Sequence, residues 1–243
     1  MKLFTWSYKC TRYLLYSLPM KMFWKTRIFY NKVTKKCIEH VREKFLHTID
    51  NHGCFLDVGC GNNAPYAIKS QFPKLYYIGL DVGDYNQTKP NLADEYIVTS
   101  GETFAEKILQ LTSRFDSVLS NHNFEHVNDR DKTLEAMLSV LKPGGYIYMA
   151  FPSEKSVNFP SRGGCLNYYD DSSHTGNPPN FNQILKIMND NNMKIIFASP
   201  SYKPFFRNII GFILETKSKK ENRVNEYTWA YWGFEAIIWA KKK

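Results

Sequence analysis

No stretch of these 243 residues carries the roughly 18 consecutive apolar side chains that a membrane-spanning helix needs. The best N-terminal candidate, Tyr13 to Trp24, is short and is interrupted by Pro19 and Lys21. It also lacks a clear small-residue cleavage site, which reads against a signal peptide. There is no internal repeat and no low-complexity tract. Cysteine is sparse: the five residues Cys10, Cys37, Cys54, Cys60 and Cys165 are odd in number and form no CxxC pair. That argues against a disulfide framework or zinc knuckle and for a reducing, cytoplasmic compartment. Acid is absent from one region altogether. Residues 1–38 contain no Asp or Glu, yet they hold nine Lys/Arg.

The formal charge of +9 therefore belongs to this arm, and the remaining chain is balanced. Apolar content of 43% and charged content of 23% are ordinary for a soluble globular domain. The length suits one α/β domain with an extension, divided here as a basic, aromatic, helical extension or lid over 1–50 and a main domain over 51–243. The arm interleaves its nine cations with nine aromatics, among them Trp6, Tyr13 and Trp24. Three readings fit: a lid packed on the core, an interfacial helix on anionic lipid at the inner face of a membrane, or a nucleic-acid arm. The Arg-poor, Trp- and Tyr-containing composition favours lipid over RNA.

The informative run is Phe55-Leu56-Asp57-Val58-Gly59-Cys60-Gly61. A short apolar strand ends in an acid, and two glycines sit one residue apart. Glycine tolerates positive φ and has no Cβ to obstruct a ligand. A helix should start near Ala64-Pro65, with Asn62 or Asn63 suited to capping it. Strand, glycine turn and helix N-terminus make a nucleotide-cofactor cradle. Further strands are expected over 75–80, ending at Asp81, and over 95–99, 117–120, 146–151, 194–198 and 234–240. Helices are expected over 103–111, around Leu134, Met137, Leu138 and Leu141, and around Phe181, Ile184, Leu185 and Met188. Strands alternating with helices imply a doubly wound, mostly parallel sheet that binds ligands at its strand carboxyl ends. Asp57, Asp81, Ser100-Gly101-Glu102 and Asn121-His122 lie at such ends. Asp81 follows Gly59 by 22 residues, near the ~20 expected of a carboxylate that takes ribose hydroxyls. Cys60 reads as a small residue filling a tight turn rather than as a reactive thiol.

In this order and spacing, Asp57-Val58-Gly59-Cys60-Gly61, Asp81, Phe115-Asp116-Ser117-Val118, Glu125-His126-Val127 and Leu141-Lys142-Pro143-Gly144-Gly145 resemble the class I S-adenosylmethionine-dependent methyltransferases. The resemblance implies an α/β, seven-stranded Rossmann-like fold closed by an antiparallel hairpin, and S-adenosyl-L-methionine as cofactor. It places the methionine and ribose part at Gly59, Cys60 and Gly61, the ribose hydroxyls on Asp81, and the adenine by Gly101-Glu102, with Asp57, Val82 and Asn121 completing the cofactor site. The rival cofactor is a dinucleotide, since Gly59 to Ala64 also fits G-x-G-x-x-A. Asp57 argues against it: a pyrophosphate meets no negative charge in such a cradle, whereas a carboxylate suits a sulfonium.

For a hydroxyl acceptor the protein must align the nucleophile, exclude water and remove a proton. Candidate bases are His122 and His174; His126 reads as a cap or packing residue of the following helix. His122, Glu125 and His126 also form an H-x-x-E-H cluster that His174 can join, a set suited to a divalent metal. It resembles the E-x-x-E-H cluster of methyltransferases that act on the terminal ribose of small RNAs, with His122 in place of the first Glu. The stretch 151–171 is similar to methyltransferases of bacterial surface-polysaccharide gene products, which implies a sugar-containing, lipid-linked small molecule or glycan as acceptor. The apolar segment Phe205 to Leu214 is expected to roof the acceptor site or cover a sheet edge. Two alternatives stand: a nucleic-acid ribose 2'-O-methyltransferase, and a non-catalytic cofactor-binding protein that docks through its arm.

Overall fold

A computed structural model describes residues 40–243, apart from 62, 84–87, 112–114 and 226. The arm over 1–38 lies outside the described residues. Seven strands form the sheet: β1 (Cys54–Val58), β2 (Tyr76–Asp81), β3 (Glu95–Val98), β4 (Phe115–Asn121), β5 (Leu141–Pro152), β6 (Met193–Ser199) and β7 (Glu235–Lys242). The described helices are α1 (Val41–Leu46), α2 (Ala64–Gln71), α3 (Phe104–Gln110), α4 (Arg130–Ser139), α5 (Phe181–Asp190), α6 (Phe205–Glu221) and α7 (Thr228–Trp232). The strand order is β3-β2-β1-β4-β5-β7-β6. β1 to β5 run parallel, and β7 pairs antiparallel with both β5 and β6. This is the doubly wound, mostly parallel sheet that the strand and helix alternation implies, with the antiparallel hairpin that the resemblance implies. The order reverses between β1 and β4, so their carboxyl ends open the crevice where such sheets take ligands.

Strand side chains alternate between faces, and the two cores follow that alternation. Leu56, Val58, Ile78, Leu80, Val118, Ile147 and Met149 pack one face against α3, α4 and α5. Phe55, Tyr77, Leu119, Tyr148 and Ile237 pack the other with Val41, Phe45 and Leu46 of α1 and Ile68 of α2. Because Phe45 is fully buried in that second core, the compact unit begins at His40 and includes residues 40–50 with the sheet.

Local sequence explains the connections. Asp129 caps α4 by accepting from the Lys132 N–H at 3.1 Å. Asn63 precedes α2 in the left-handed region (φ 64°) and makes no side-chain cap. Its amide instead bonds Thr88 at 3.0 Å and the Lys89 N–H at 2.8 Å, tying the helix start to the loop after β2. The Lys-Pro-Gly-Gly run is a bulge inside β5: the β4 register shifts from Phe115↔Leu141 to Ser117↔Tyr146. Lys142 Nζ reaches both oxygens of Asp116 at 2.8 Å, and a Cβ on Gly145 would stand 3.0–3.2 Å from three carbonyl oxygens. The motif is thus a structural corner. Between β6 and β7 the chain inserts α6 and α7. α6 is 17 residues long, and no described helix is long and apolar enough to cross a membrane.

Candidate active site

The glycine turn after β1 is held from the neighbouring strand. Gly59 N–H donates to Leu80 O at 2.7 Å, and Gly61 N–H donates to Asp81 Oδ2 at 2.6 Å. Val82 N–H donates to the other oxygen of Asp81 at 2.6 Å. One carboxylate therefore organises both loops while each of its oxygens keeps a lone pair for a hydroxyl donor. Gly59 and Gly61 both sit at positive φ, 74° and 59°. Their free faces differ. A Cβ on Gly61 would meet nothing within 4 Å, whereas one on Gly59 would lie 2.2 Å from Asn123. The bareness of Gly59 makes room for a side chain arriving from β4, and that of Gly61 makes room for ligand.

A cavity of about 680 Å³ opens on this turn, within the 300–1,000 Å³ range of small-molecule and cofactor sites. Gly59, Gly61, Asp81, Val82, Gly101 and Glu102 line it, joined by Ser100, Phe104, His122, Asn123, His126 and Ser173. Three expected cofactor residues lie outside this lining, and so does His174 beside Ser173. Asp57 is buried beneath the turn, its Oδ2 accepting from the Tyr77 hydroxyl at 2.6 Å. Burial pushes its carboxyl up to about 6, against the pull of that hydrogen bond. Cys60 points back into the sheet, where its sulfur would stand 2.9 Å from a Cβ on Gly79. Burial, then Asp57 and Asp81, push its thiol well up, which disfavours the reactive thiolate. Asn121 ends β4 in register with Ala150. The residue two positions on, Asn123, takes the place on the wall. Its buried Nδ2 has no partner, which leaves a donor for a bound ligand. Its only sequence signal was an amide beside a strand end.

The residues present fit the sulfonium nucleoside: a bare turn, an acid with spare lone pairs at ribose distance along the chain, and an unpartnered amide donor at the switch point. When bound, that group supplies an already activated methyl.

The histidines separate into two environments. His122 sits at φ 50°, with Nδ1 3.3 Å from Glu125 Oε1 and Nε2 2.9 Å from Glu235 Oε1. Phe234 and Trp229 pack on its ring. Burial opposes the charge, but the two carboxylates outweigh it and raise the imidazole to about 10. Burial likewise opposes ionisation of Glu235, and hydrogen bonds from His122 and His40 overcome it, holding its carboxyl far below the usual range. His122 is thus an imidazolium at neutral pH, with no lone pair to take a proton.

His126 and His174 are different. His174 Nδ1 lies 2.5 Å from Tyr168 O, and His126 Nδ1 lies 3.2 Å from Ser173 O. A carbonyl only accepts, so each Nδ1 carries its hydrogen and each Nε2 of the neutral ring keeps its lone pair. The rings stand 4.9 Å apart. Arg130 holds the two segments together: its guanidinium donates to Phe124 O, Glu125 O, Thr175 O and Asn177 O. Thr175 N–H also donates to Glu125 O at 3.0 Å. That staple, invisible in the sequence, brings His174 to a turn 48 positions earlier.

A family model for a methyltransferase domain matches residues 30–197. Two curated relatives are ubiquinone biosynthesis O-methyltransferases. That of Bartonella bacilliformis is 29% identical over 139 residues, 54% of each chain. That of Saccharophagus degradans is 31% identical over 102 residues, 39% of this chain and 42% of its own. The chain thus aligns with about half the length of these relatives. Among solved structures, the fold is similar to the plantazolicin methyltransferase BpumL in complex with SAH (TM-score 0.56, 18% identity, 90% and 89% of the two chains). It is similar also to an S-adenosylmethionine-dependent methyltransferase from Mesorhizobium loti (TM-score 0.56, 13% identity, 85% and 100%). With the glycine turn, the Asp81 clasp and the switch-point cavity, the match over 30–197 establishes that this chain belongs to the class I S-adenosylmethionine-dependent methyltransferase family.

Proposed function

We propose that this enzyme methylates a hydroxyl oxygen on a lipid-linked acceptor, of the sugar-containing class to which the 151–171 stretch points. The observation that carries the reading is the α6–α7 insertion. α7 lays Trp229 against His122, a residue of the cavity wall, at 5.3 Å between ring centroids. α6 turns outward a face of Phe205, Phe206, Ile209, Phe212 and Ile213, each 40–70% exposed. Lys217 follows, and Lys219 and Lys220 lie on its last turn. Apolar residues followed by lysines on one exposed helix suit an anionic bilayer surface, with the lysine heads at phosphate level. The basic arm over 1–38 has the same character, and together they support peripheral contact with the inner face of a membrane. An oxygen acceptor accords with the names of both curated relatives, which are O-methyltransferases.

In this reading Asp81, Gly61 and Asn123 hold the methyl donor. His122, charged and clamped, fixes Glu125 and the β7 end through Glu235. The acceptor hydroxyl is held at the Glu125–His126–His174 end. The bound donor would supply the activated methyl to that oxygen, the methyl–sulfur electron pair staying on sulfur, and the hydroxyl proton would pass to water. The test is incubation of the protein with radiolabelled methyl donor and separated lipid, polysaccharide and RNA pools. Label in the lipid-linked saccharide fraction is expected. Label confined to RNA would point instead to ribose methylation.

A further inference from the structure

The structure assigns, we propose, a divalent transition-metal site to Glu125, His126 and His174, at the acceptor edge of the cofactor cavity. One ligand atom from each residue lies within 4.8 Å of the others. Small side-chain rotations close that spread to the about 3–3.5 Å that metal–ligand bonds near 2.1 Å require.

Four independent features support it. First, Glu125 is 1% exposed, and its Oε2 has no hydrogen-bond partner. A buried carboxylate oxygen with nothing to accept from is costly, and a cation is the partner that removes the cost. Second, its other oxygen faces His122, so the carboxylate is aimed rather than free to swing. Third, both imidazoles donate Nδ1–H to backbone carbonyls, of Ser173 and Tyr168. That is the outer-shell arrangement that fixes a metal-binding tautomer and presents Nε2 to an ion. Fourth, the Arg130 and Thr175 bonds fasten the two segments, and Tyr168 stacks on His174 at 4.4 Å, so the donors are preorganised.

Two imidazoles and one carboxylate select first-row ions such as Mn²⁺, Fe²⁺, Co²⁺ or Zn²⁺ over Mg²⁺ or Ca²⁺. Three protein donors leave coordination positions open, and His126 and Ser173 place them on the cavity wall. The ion's role rests on the methyl-transfer reading. An acceptor hydroxyl at an open position loses its proton to water more readily, and its oxygen is held beside the methyl donor. No oxidant or reductant is needed.

The experiment uses full-length, tag-free protein stripped with EDTA. Co²⁺ is titrated by visible absorption and Mn²⁺ by electron paramagnetic resonance, and adenosylhomocysteine binding is measured separately by calorimetry. One equivalent of Co²⁺ should bind. His174→Ala and His126→Gln should each weaken it at least 100-fold, beyond the 10–100-fold of an outer-shell change. Their adenosylhomocysteine affinity should stay within about 3-fold, showing an intact fold. Absence of Co²⁺ binding, or affinity unchanged in both variants, overturns the site. If adenosylhomocysteine still binds in that case, the methyltransferase reading survives. Co²⁺ binding without adenosylhomocysteine binding sustains the metal site and removes the role given to it.

Discussion

Gly59 and Asn123 occupy what is nearly one volume, and this makes the glycine at 59 more demanding than the one at 61. Gly59→Ala puts a methyl group 2.2 Å from the Asn123 side chain at φ 74°. It should cost about 1–3 kcal/mol of stability from backbone strain alone, and should also weaken adenosylhomocysteine binding by displacing Asn123. Gly61→Ala carries similar backbone strain at φ 59° but meets open space instead of Asn123, so it should lose less stability than Gly59→Ala and weaken the ligand by filling its room. Urea midpoints and calorimetry on both variants separate the two; equal stability losses would contradict the assignment. Asp81→Ala should reduce adenosylhomocysteine affinity by about 1–3 kcal/mol, the range for a buried hydrogen-bonding group left unpaired. The pH behaviour of His122 is a third residue-level test. Its folded pKa, about 10, exceeds the ordinary 6.5. Its contribution to stability is therefore complete below pH 6.5 and is lost as pH rises through 10. Glu235, held low, contributes above its ordinary 4.5 and loses that contribution as pH falls. An NMR titration should find the His122 ring still charged at pH 8; a midpoint near 6.5 would show that the two carboxylates do not clamp it.

At the level of elements, the α6–α7 insertion is anchored by an ion pair between the buried Arg162 and the partly buried Glu215. Arg162, whose side chain is 4% exposed, donates to Glu215 Oε1 at 2.7 Å and Oε2 at 3.0 Å, and to Ser218 Oγ at 2.9 Å. Trp232 Nε1–H adds a bond to the same glutamate at 3.2 Å. Arg162→Ala leaves the partly buried Glu215 carboxylate and the buried Ser218 hydroxyl without this donor. It should cost about 1–3 kcal/mol, read as a lower urea midpoint or as early proteolysis within 205–232. The outward face of α6 makes a separate prediction. Phe212→Glu with Ile213→Glu should weaken sedimentation with phosphatidylglycerol vesicles, leaving only what the basic arm supports, while adenosylhomocysteine binding is unchanged. Co-sedimentation equal to wild type would remove α6 from the membrane reading. The helix itself is not legible in the sequence. Phe205 to Leu214 is almost continuously apolar, so its period is obscured, and its outward phenylalanines break the inside–outside pattern by which amphipathic helices are recognised. α4 and α5, with buried residues at clean helical spacing and Asp or Asn caps, were readable for the opposite reason.

Across the whole molecule, what the sequence discloses is what local chemistry dictates. A strand running into a glycine turn, and a second strand ending in Asp81, fix the cradle because both features are set by a few adjacent residues. The strand alternation then implies the parallel sheet and its switch point. What stayed hidden depends on distant segments meeting. The position of Asp57 before the turn suggests that it faces the cofactor, but burial and the Tyr77 hydroxyl hold it beneath the turn. Asn123 reaches the cavity only because β4 lies beside β1. His174 joins Glu125 and His126 only because Arg130 spans the two loops. His122 becomes a charged clamp only once β7 supplies Glu235.

All of these roles depend on the cavity between β1 and β4 taking a sulfonium nucleoside. Isothermal titration of the protein with S-adenosylhomocysteine, and in parallel with a nicotinamide dinucleotide, tests this most directly. Saturable heat at one equivalent of S-adenosylhomocysteine and none with the dinucleotide is expected; no heat with the former and clear uptake of the latter would contradict it.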